Sequence, residues 1–238
     1  MNNTTQVFEA KELVKRYGRL SALKGINLTV NKGDFVSIFG PNGAGKTTFL
    51  KIGAMLMSPT SGDLLFNGVN IRKVGDQARK EIGYIAHNTF LYNNLTAEEN
   101  LRFFGKMYSL PDLDDLIEDK LNAVGLSDRK NDIVSGFSRG MQQRLTIARA
   151  FLHDPSILLL DEPYTGLDKS ASEILNGLLR LFNNTEKAGL MTTHNLDQGY
   201  DLATHLVILH KGKIQFSALK KDISKIEFSE KYSEIVGQ

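Results

Sequence analysis

Phe35-Val36-Ser37-Ile38-Phe39-Gly40-Pro41-Asn42-Gly43-Ala44-Gly45-Lys46-Thr47-Thr48 joins a strand pattern to a helix pattern through a glycine-rich turn. From Gly40 to Thr47 the spacing is G-x-x-x-x-G-K-[ST], the pattern of a phosphate-cradling loop. Glycines let backbone N–H groups converge on phosphate oxygens without interference from Cβ. The motif sends Lys46 to β- and γ-phosphates and the Thr47 hydroxyl to Mg²⁺. The apolar periodicity predicts a helix over 47–57, whose N-terminus favours an anion. Gly40, Pro41, Asn42, Gly43, Ala44, Gly45, Lys46, Thr47 and Thr48 are therefore the expected nucleotide contacts. The flanking strand and helix favour this reading over an ordinary Gly-rich turn.

Working outward, three more short apolar runs resemble Phe35–Phe39: Ile157–Leu160, Gly189–Thr193 and Leu206–Leu209. Uniformly apolar strands of this length are buried on both faces, as in a parallel sheet covered by helices. In open parallel sheets, ligands gather at the carboxyl ends of the strands. Asp161 and Glu162 follow one such strand, and His194 follows another. Asp161 is expected beside Mg²⁺, chiefly through water. Glu162 is expected to polarise an attacking water, and His194 to donate to the γ-phosphate. His153, His205 and His210 have no such placement and read as structural.

The first thirty residues differ. Val7–Tyr17 and Leu23–Val30 alternate, with Gly18 and Gly25 as breaks, which predicts antiparallel strands at an edge. Residues ~96–150 are mainly helical by periodicity, with Thr96-Ala97-Glu98-Glu99 as a capping box and Pro111, Asp112, Asp114 and Asp115 at the next helix start. No strong linker bounds this stretch, so it is an insertion into an α/β domain. From Ala218 the chain is polar and mixed in charge, a short helix or a loose tail.

Composition narrows the classes further. The 238 residues carry 29 Lys+Arg against 27 Asp+Glu and contain no Cys. The missing Cys excludes disulfide frameworks, thiolate metal sites and Cys-based catalysis. The charge balance gives no basic surplus of the kind a nucleic-acid binder shows, so no nucleic-acid partner is expected. No apolar run approaches ~18 residues, so no bilayer span is expected, and Met1–Gln6 carry no signal-peptide pattern.

Phe137-Ser138-Arg139-Gly140-Met141-Gln142-Gln143-Arg144-Leu145 supplies a more specific sign. Ser138 and Gly140 open a helical pattern over 142–152, and a hydroxyl with free N–H groups at a helix N-terminus makes a phosphate site. This segment resembles the LSGGQ signature of the ATP-binding subunits of ABC transporters, and it lies 23 residues before Asp161, as in that family. Tyr164-Thr165-Gly166-Leu167-Asp168 resembles the loop bearing the family's dimer-contact aspartate, and Tyr17 stands where an aromatic stacks on adenine. The likeness runs from about Phe8 to about Gly212.

The resemblance implies an α/β fold: a P-loop NTPase (RecA-like) core with an N-terminal antiparallel β edge and an inserted helical subdomain. It implies one cassette over 1–238, with core about 6–88 and 153–217, helical insertion about 89–152 and C-terminal tail 218–238. It also implies ATP hydrolysis with Mg²⁺. Two protomers, a homodimer or a heterodimer with a similar cassette, would enclose ATP between one phosphate loop and the partner's Ser138 segment. Membrane-spanning transporter subunits would be the other partners, with this chain on the cytoplasmic face of the cell membrane.

Two departures stand out. Arg139 replaces the first paired glycine and Met141 the glutamine; the guanidinium either adds charge near phosphate or points to solvent. After Ala86 the family has Gln, whereas here stand His87 and Asn88. Imidazole suits Mg²⁺ poorly, and the Asn88 carbonyl is the expected metal contact if the loop slips by one residue, so either His87 or Asn88 stands in for the Gln. These departures, with Leu95–Leu101, resemble the haem-exporter ATPase of cytochrome c maturation. Exporters of lipids, drugs or ions, a non-transport ATPase of the superfamily and a nucleotide-holding regulatory module are the alternatives. Phe90, Tyr92, Phe103 and Phe104 are either docking contacts for a membrane subunit or part of the insertion's own core, the two readings weighing equally for Phe103 and Phe104.

Overall fold

The computed structural model describes residues 6–86, 88–183 and 186–237. The alternating N-terminal segments form two long antiparallel strands, β1 (Gln6–Tyr17) and β2 (Leu20–Asn31). Gly18 lies in the turn between them, as expected. Gly25 does not break β2: it sits within the strand at φ 84°, and Glu12 Oε2 lies 2.9 Å from where its Cβ would be. A bulge around Glu12 shifts the register between Ala10 and Val14 and absorbs the glycine's conformation.

The five buried residues of β3 (Phe35–Phe39) lead through the glycine-rich turn into α1 (Lys46–Gly53). This helix stops short of the predicted residue 57 because Met55 takes a left-handed φ of 57°. Next come β4 (Ser61–Phe66), β5 (Val69–Asn70), two single-turn helices α2 (Ile71–Val74) and α3 (Asp76–Arg79), and β6 (Ile82–Ile85). The helical stretch holds α4 (Ala97–Met107), α5 (Leu113–Ala123) and α6 (Arg139–Ala150). The expected capping box opens α4, with Glu99 N donating to Thr96 Oγ1 and Thr96 N to Glu99 Oε2. The chain then runs through β7 (Ile157–Asp161), α7 (Lys169–Asn183), β8 (Ala188–Thr193), α8 (Leu196–Leu202), β9 (His205–His210), β10 (Lys213–Leu219) and α9 (Lys225–Val236). The C-terminal tail is therefore a helix, capped by Ser224 and Glu227 and anchored by buried Phe228.

Two sheets result. One has the order β2-β1-β4-β5; the other has the order β10-β9-β3-β8-β7-β6, parallel except for β10. The antiparallel strands thus make their own sheet rather than the edge of the parallel one. Their apolar face packs onto α1: the Phe8 and Phe49 rings meet edge to face at 6.0 Å. A Cβ on Gly53 would touch both Phe8 and Leu159 at 3.2 Å, so α1 lies wedged between the sheets. Alternation along β7 explains the layers. Ile157 and Leu159 face the core beneath the antiparallel sheet, while Leu158 and Leu160 join the core formed with α4–α7. The helical stretch shares that second core with the parallel sheet, which is why no linker sequence separates them.

Candidate functional site

Strands β3, β8 and β7 are adjacent, and their parallel register sets Phe39 opposite Thr193 and Asp161 opposite Thr192. The residues just beyond these pairs, Gly40, His194 and Glu162, therefore emerge side by side at the carboxyl edge. Parallel pairing alone brings together side chains more than 100 positions apart.

Gly45 takes φ 109° and opens α1, and a Cβ there would lie 2.6 Å from the Ala22 carbonyl. Only glycine fits that combination. Lys46 is 6% exposed; its Nζ donates to the carbonyls of Gly40 (2.7 Å) and Pro41 (3.3 Å) and lies 3.3 Å from Glu162 Oε1. A buried ammonium requires such partners. The Thr47 hydroxyl donates to Asp161 Oδ1 at 3.1 Å, and Thr192 donates to the same oxygen at 2.7 Å. Asp161 is 5% exposed, so both hydroxyls hold a carboxylate that water barely reaches. Glu162 has φ 50°, which turns its side chain away from the strand line. Its Oε2 accepts from His194 Nδ1 at 2.7 Å. A pocket of ≈ 280 Å³ opens beside these groups, lined by Pro41–Thr48, Glu162, Tyr17, Leu20 and Ala22; Asp161 and His194 flank it through their bonds to Thr47 and Glu162 rather than lining it. Tyr17 is half-exposed at its mouth, its hydroxyl 2.9 Å from Met57 Sδ.

Ser138 caps α6, its hydroxyl accepting from Met141 N at 3.2 Å, so the helix begins three residues earlier than periodicity suggests. Gly140 faces Asp168: a Cβ there would lie 2.7 Å from the carboxylate oxygen Oδ2. Asp168 Oδ1 accepts from Ala171 N and opens α7. Ser138, Gly140 and Asp168 form a second cluster that does not line the phosphate-loop pocket of the same chain. Arg139 is exposed, and its guanidinium lies over the backbone of Gly166 in the Tyr164–Asp168 loop rather than at the phosphate loop.

Asn88 departs from expectation. Its Oδ1 accepts from Phe90 N at 3.2 Å, and it borders a cavity with Thr89, Arg139, Gln142 and Gln143 instead of joining Thr47 and Asp161. The local Asx turn holds this carbonyl at the Phe90 N–H, away from the Thr47 and Asp161 oxygens. His87 lies outside the described residues.

Beside this region runs a larger apolar groove of ≈ 460 Å³, including Leu56, Tyr84, Phe90, Tyr92, Met107 and Arg149. Arg149 is stacked by Phe90 and Phe104, at 5.6 and 5.1 Å from the ring centroids, and burial pushes its pKa down. Phe104 also packs on the helical core, whereas Phe90, Tyr92 and Phe103 stay partly exposed. Thr192 was not legible as a site residue; the signal was the polar pair Thr192-Thr193 closing an otherwise apolar strand. The three remaining histidines are structural: His153 Nε2 meets the Ile82 carbonyl, His205 Nδ1 lies 3.6 Å from Asp34, and His210 Nδ1 meets the Ile235 carbonyl.

Residues 23–165 match the profile of the ABC transporter family, and the chain belongs to that family as an ATP-binding subunit. Membership makes it an ATP-binding ABC ATPase. It is 36% identical to the ABC transporter ATP-binding protein NatA of Bacillus subtilis (strain 168) over 89% of this chain and 87% of that protein. It is 32% identical to the linearmycin resistance ATP-binding protein LnrL of the same organism, over 91% of this chain and 70% of that protein. The fold matches the dimeric post-hydrolysis structure of the ATP-binding cassette MJ0796 bound to ADP and Pi, with a TM-score of 0.81 and 27% identity over 90% of this chain and 98% of that one.

Proposed function

We propose that this chain hydrolyses ATP to drive export through separate membrane-spanning subunits, working as a pair of cassettes at the cytoplasmic membrane face. The observation that carries this reading is the meeting of Lys46, Glu162 and His194 at three adjacent strand ends, above a carboxylate held by two threonine hydroxyls.

Glu162 acts as the base that orients and deprotonates the attacking water. His194, bonded to Oε2, fixes the carboxylate and carries a ring into the space a γ-phosphate would fill. Lys46 exchanges its loop carbonyls for phosphate oxygens and stabilises charge on the transferring group. The Thr47 hydroxyl and Asp161 carboxylate are hard oxygen donors suited to Mg²⁺, which when bound neutralises charge on the β- and γ-oxygens. Tyr17 stacks on adenine at the pocket mouth. Ser138, Gly140 and Asp168 serve the partner protomer's nucleotide, which fits their distance from the phosphate pocket of their own chain. The groove flanked by Phe90 and Tyr92 receives a membrane subunit, and the segment 88–104 passes on closure of the pair.

The substrate reading moves away from haem. The likeness to the haem-exporter subgroup rests on a few positions, whereas the antibiotic-resistance name of LnrL supports the alternative of a drug or other small-molecule exporter. Glu162→Gln is the test of the hydrolytic site. It is expected to keep ATP binding, lower turnover by roughly 10²-fold or more and accumulate dimers with ATP in sedimentation. Unchanged turnover would remove Glu162 from the reaction.

A further inference from the structure

Helix α8 begins at Leu196, two residues after His194, so the placement of α8 sets the placement of the histidine. The His194 side chain is 63% exposed and meets Glu162 through Nδ1. A side chain so open depends on its backbone for position. On one side α8 rests against β3, where Ser37 Oγ donates to the Gly199 carbonyl at 2.8 Å. On the other side it is held by α9 and the turn before it. The Tyr200 hydroxyl donates to the Ile223 carbonyl at 2.9 Å, and Lys225 Nζ lies 2.8 Å from Asp197 and 3.8 Å from Asp201.

The same short helix grips the other half of the site. Phe228 is 1% exposed and meets Phe39 edge to face at 4.9 Å, one residue before the phosphate loop begins. At the far end of α9 the Ile235 carbonyl holds His210 Nδ1 at 2.7 Å, at the carboxyl end of β9. Tyr232 packs on the same small core, and its pKa rises chiefly through burial and then through the Glu162 carboxylate. A helix that bonds the end of β9, packs the end of β3 and ties down α8 spans both halves of the active site.

We propose that α9 is a positioning element for hydrolysis, a clip that fixes His194 against the strand carrying the phosphate loop. Phe228 is its anchor, and Lys225 with Tyr200 is its hold on α8. This inference rests on the assignment of Glu162 and His194 to the reaction. Phe228 lines no part of the phosphate-loop pocket, and its ring lies 6.3 Å from that of Tyr200 on α8, so its effect on the reaction runs through the placement of α8 and His194. Loosening the clip then lowers the rate of the chemical step without weakening nucleotide capture, because the phosphate loop keeps its own bonds to Lys46 and α1.

The test uses the full chain. Phe228→Ala, the conservative Phe228→Leu, and the double variant Tyr200→Phe with Lys225→Ala are each measured alone and combined with His194→Ala, by steady-state ATPase assay. ATP affinity is measured in the Glu162→Gln background. Phe228→Ala and the double variant are expected to lower kcat about tenfold while KM for ATP changes less than about twofold. Phe228→Leu is expected to recover most of the rate. Combined with His194→Ala, neither should add a further loss, since both act through one side chain. Losses that multiply with that of His194→Ala, or unchanged kcat in the double variant, overturn the clip. Should Phe228→Ala fail to fold, the double variant decides, because the contacts it removes, Tyr200 to Ile223 and Lys225 to Asp197, Asp201 and the Tyr200 ring, lie near the surface. If His194→Ala alone turns over at the wild-type rate, the reading of the hydrolytic site fails, and the clip with it.

Discussion

Lowering the pH exposes the cost of one buried histidine. His153 lies between α6 and β7, its ring stacked 4.1 Å from Tyr108 of α4 and its Nε2 on the Ile82 carbonyl of β6. Burial, above all, pushes its pKa down from 6.5 to about 4; the bond to the Ile82 carbonyl opposes it most, Arg149 on α6 adds to the fall, and Glu81 and Asp154 oppose it further. Its Nδ1 is buried without a hydrogen-bond partner among the described residues, so a proton there gains nothing locally. At pH 7 the ring is neutral in both folded and unfolded chains. As pH falls through 6.5 the unfolded chain takes up a proton that the folded chain refuses until about pH 4. Stability must then fall over that window, by about 2 kcal/mol at pH 5 and about 3 kcal/mol in all. The assay is urea denaturation at stepped pH, comparing wild type with His153→Gln. Carboxylates titrate alike in both proteins, so the difference between the two profiles isolates His153. It should shrink by about 3 kcal/mol from pH 7.5 to 4. Profiles that stay parallel across the window would refute the claim that this ring is held neutral.

Two further substitutions probe the nucleotide pocket. Gly45→Ala places a Cβ 2.6 Å from the Ala22 carbonyl at φ 109°; it should destabilise the fold by at least about 1–2 kcal/mol and abolish ATP binding, read by thermal melting with and without nucleotide. Tyr17→Ala removes a half-exposed ring from the pocket mouth; it should weaken ATP affinity by about 1–3 kcal/mol, the range for stacking on a base, with little change in kcat, and a fall in kcat alone would place Tyr17 elsewhere in the cycle.

The parts of the site that repeat a spacing were legible from the chain. Gly40–Thr47 and the acids after Ile157–Leu160 announce themselves because a phosphate loop needs glycines at set positions and a buried strand needs unbroken apolar residues. Residues whose partners are remote in the chain were not. Thr192 looked like ordinary strand, yet it shares the Asp161 oxygen with Thr47. Asn88 reads as a metal contact, yet its carbonyl accepts from a backbone N–H two residues away and it lies beside Arg139 and Gln142, not Thr47 and Asp161. For Arg139 the residue type left phosphate and solvent equally open, and the fold lays it on Gly166, where the missing Cβ leaves room. The tail looked indeterminate because its one anchoring ring, Phe228, has meaning only beside Phe39.

Local chemistry in this protein, namely loop, caps, acids and apolar strands, follows from residue type and spacing, because those properties act over a few positions. Assembly does not. The order β9-β3-β8-β7 sets phosphate loop, His194 and Glu162 side by side, and it depends on which strands pair across the core. The same long-range packing lays α9 across both halves of the site, keeps Ser138 out of its own chain's phosphate pocket and leaves the aromatic groove open. Such pairings are chosen by the joint burial of distant surfaces, and no short stretch of the chain carries that information.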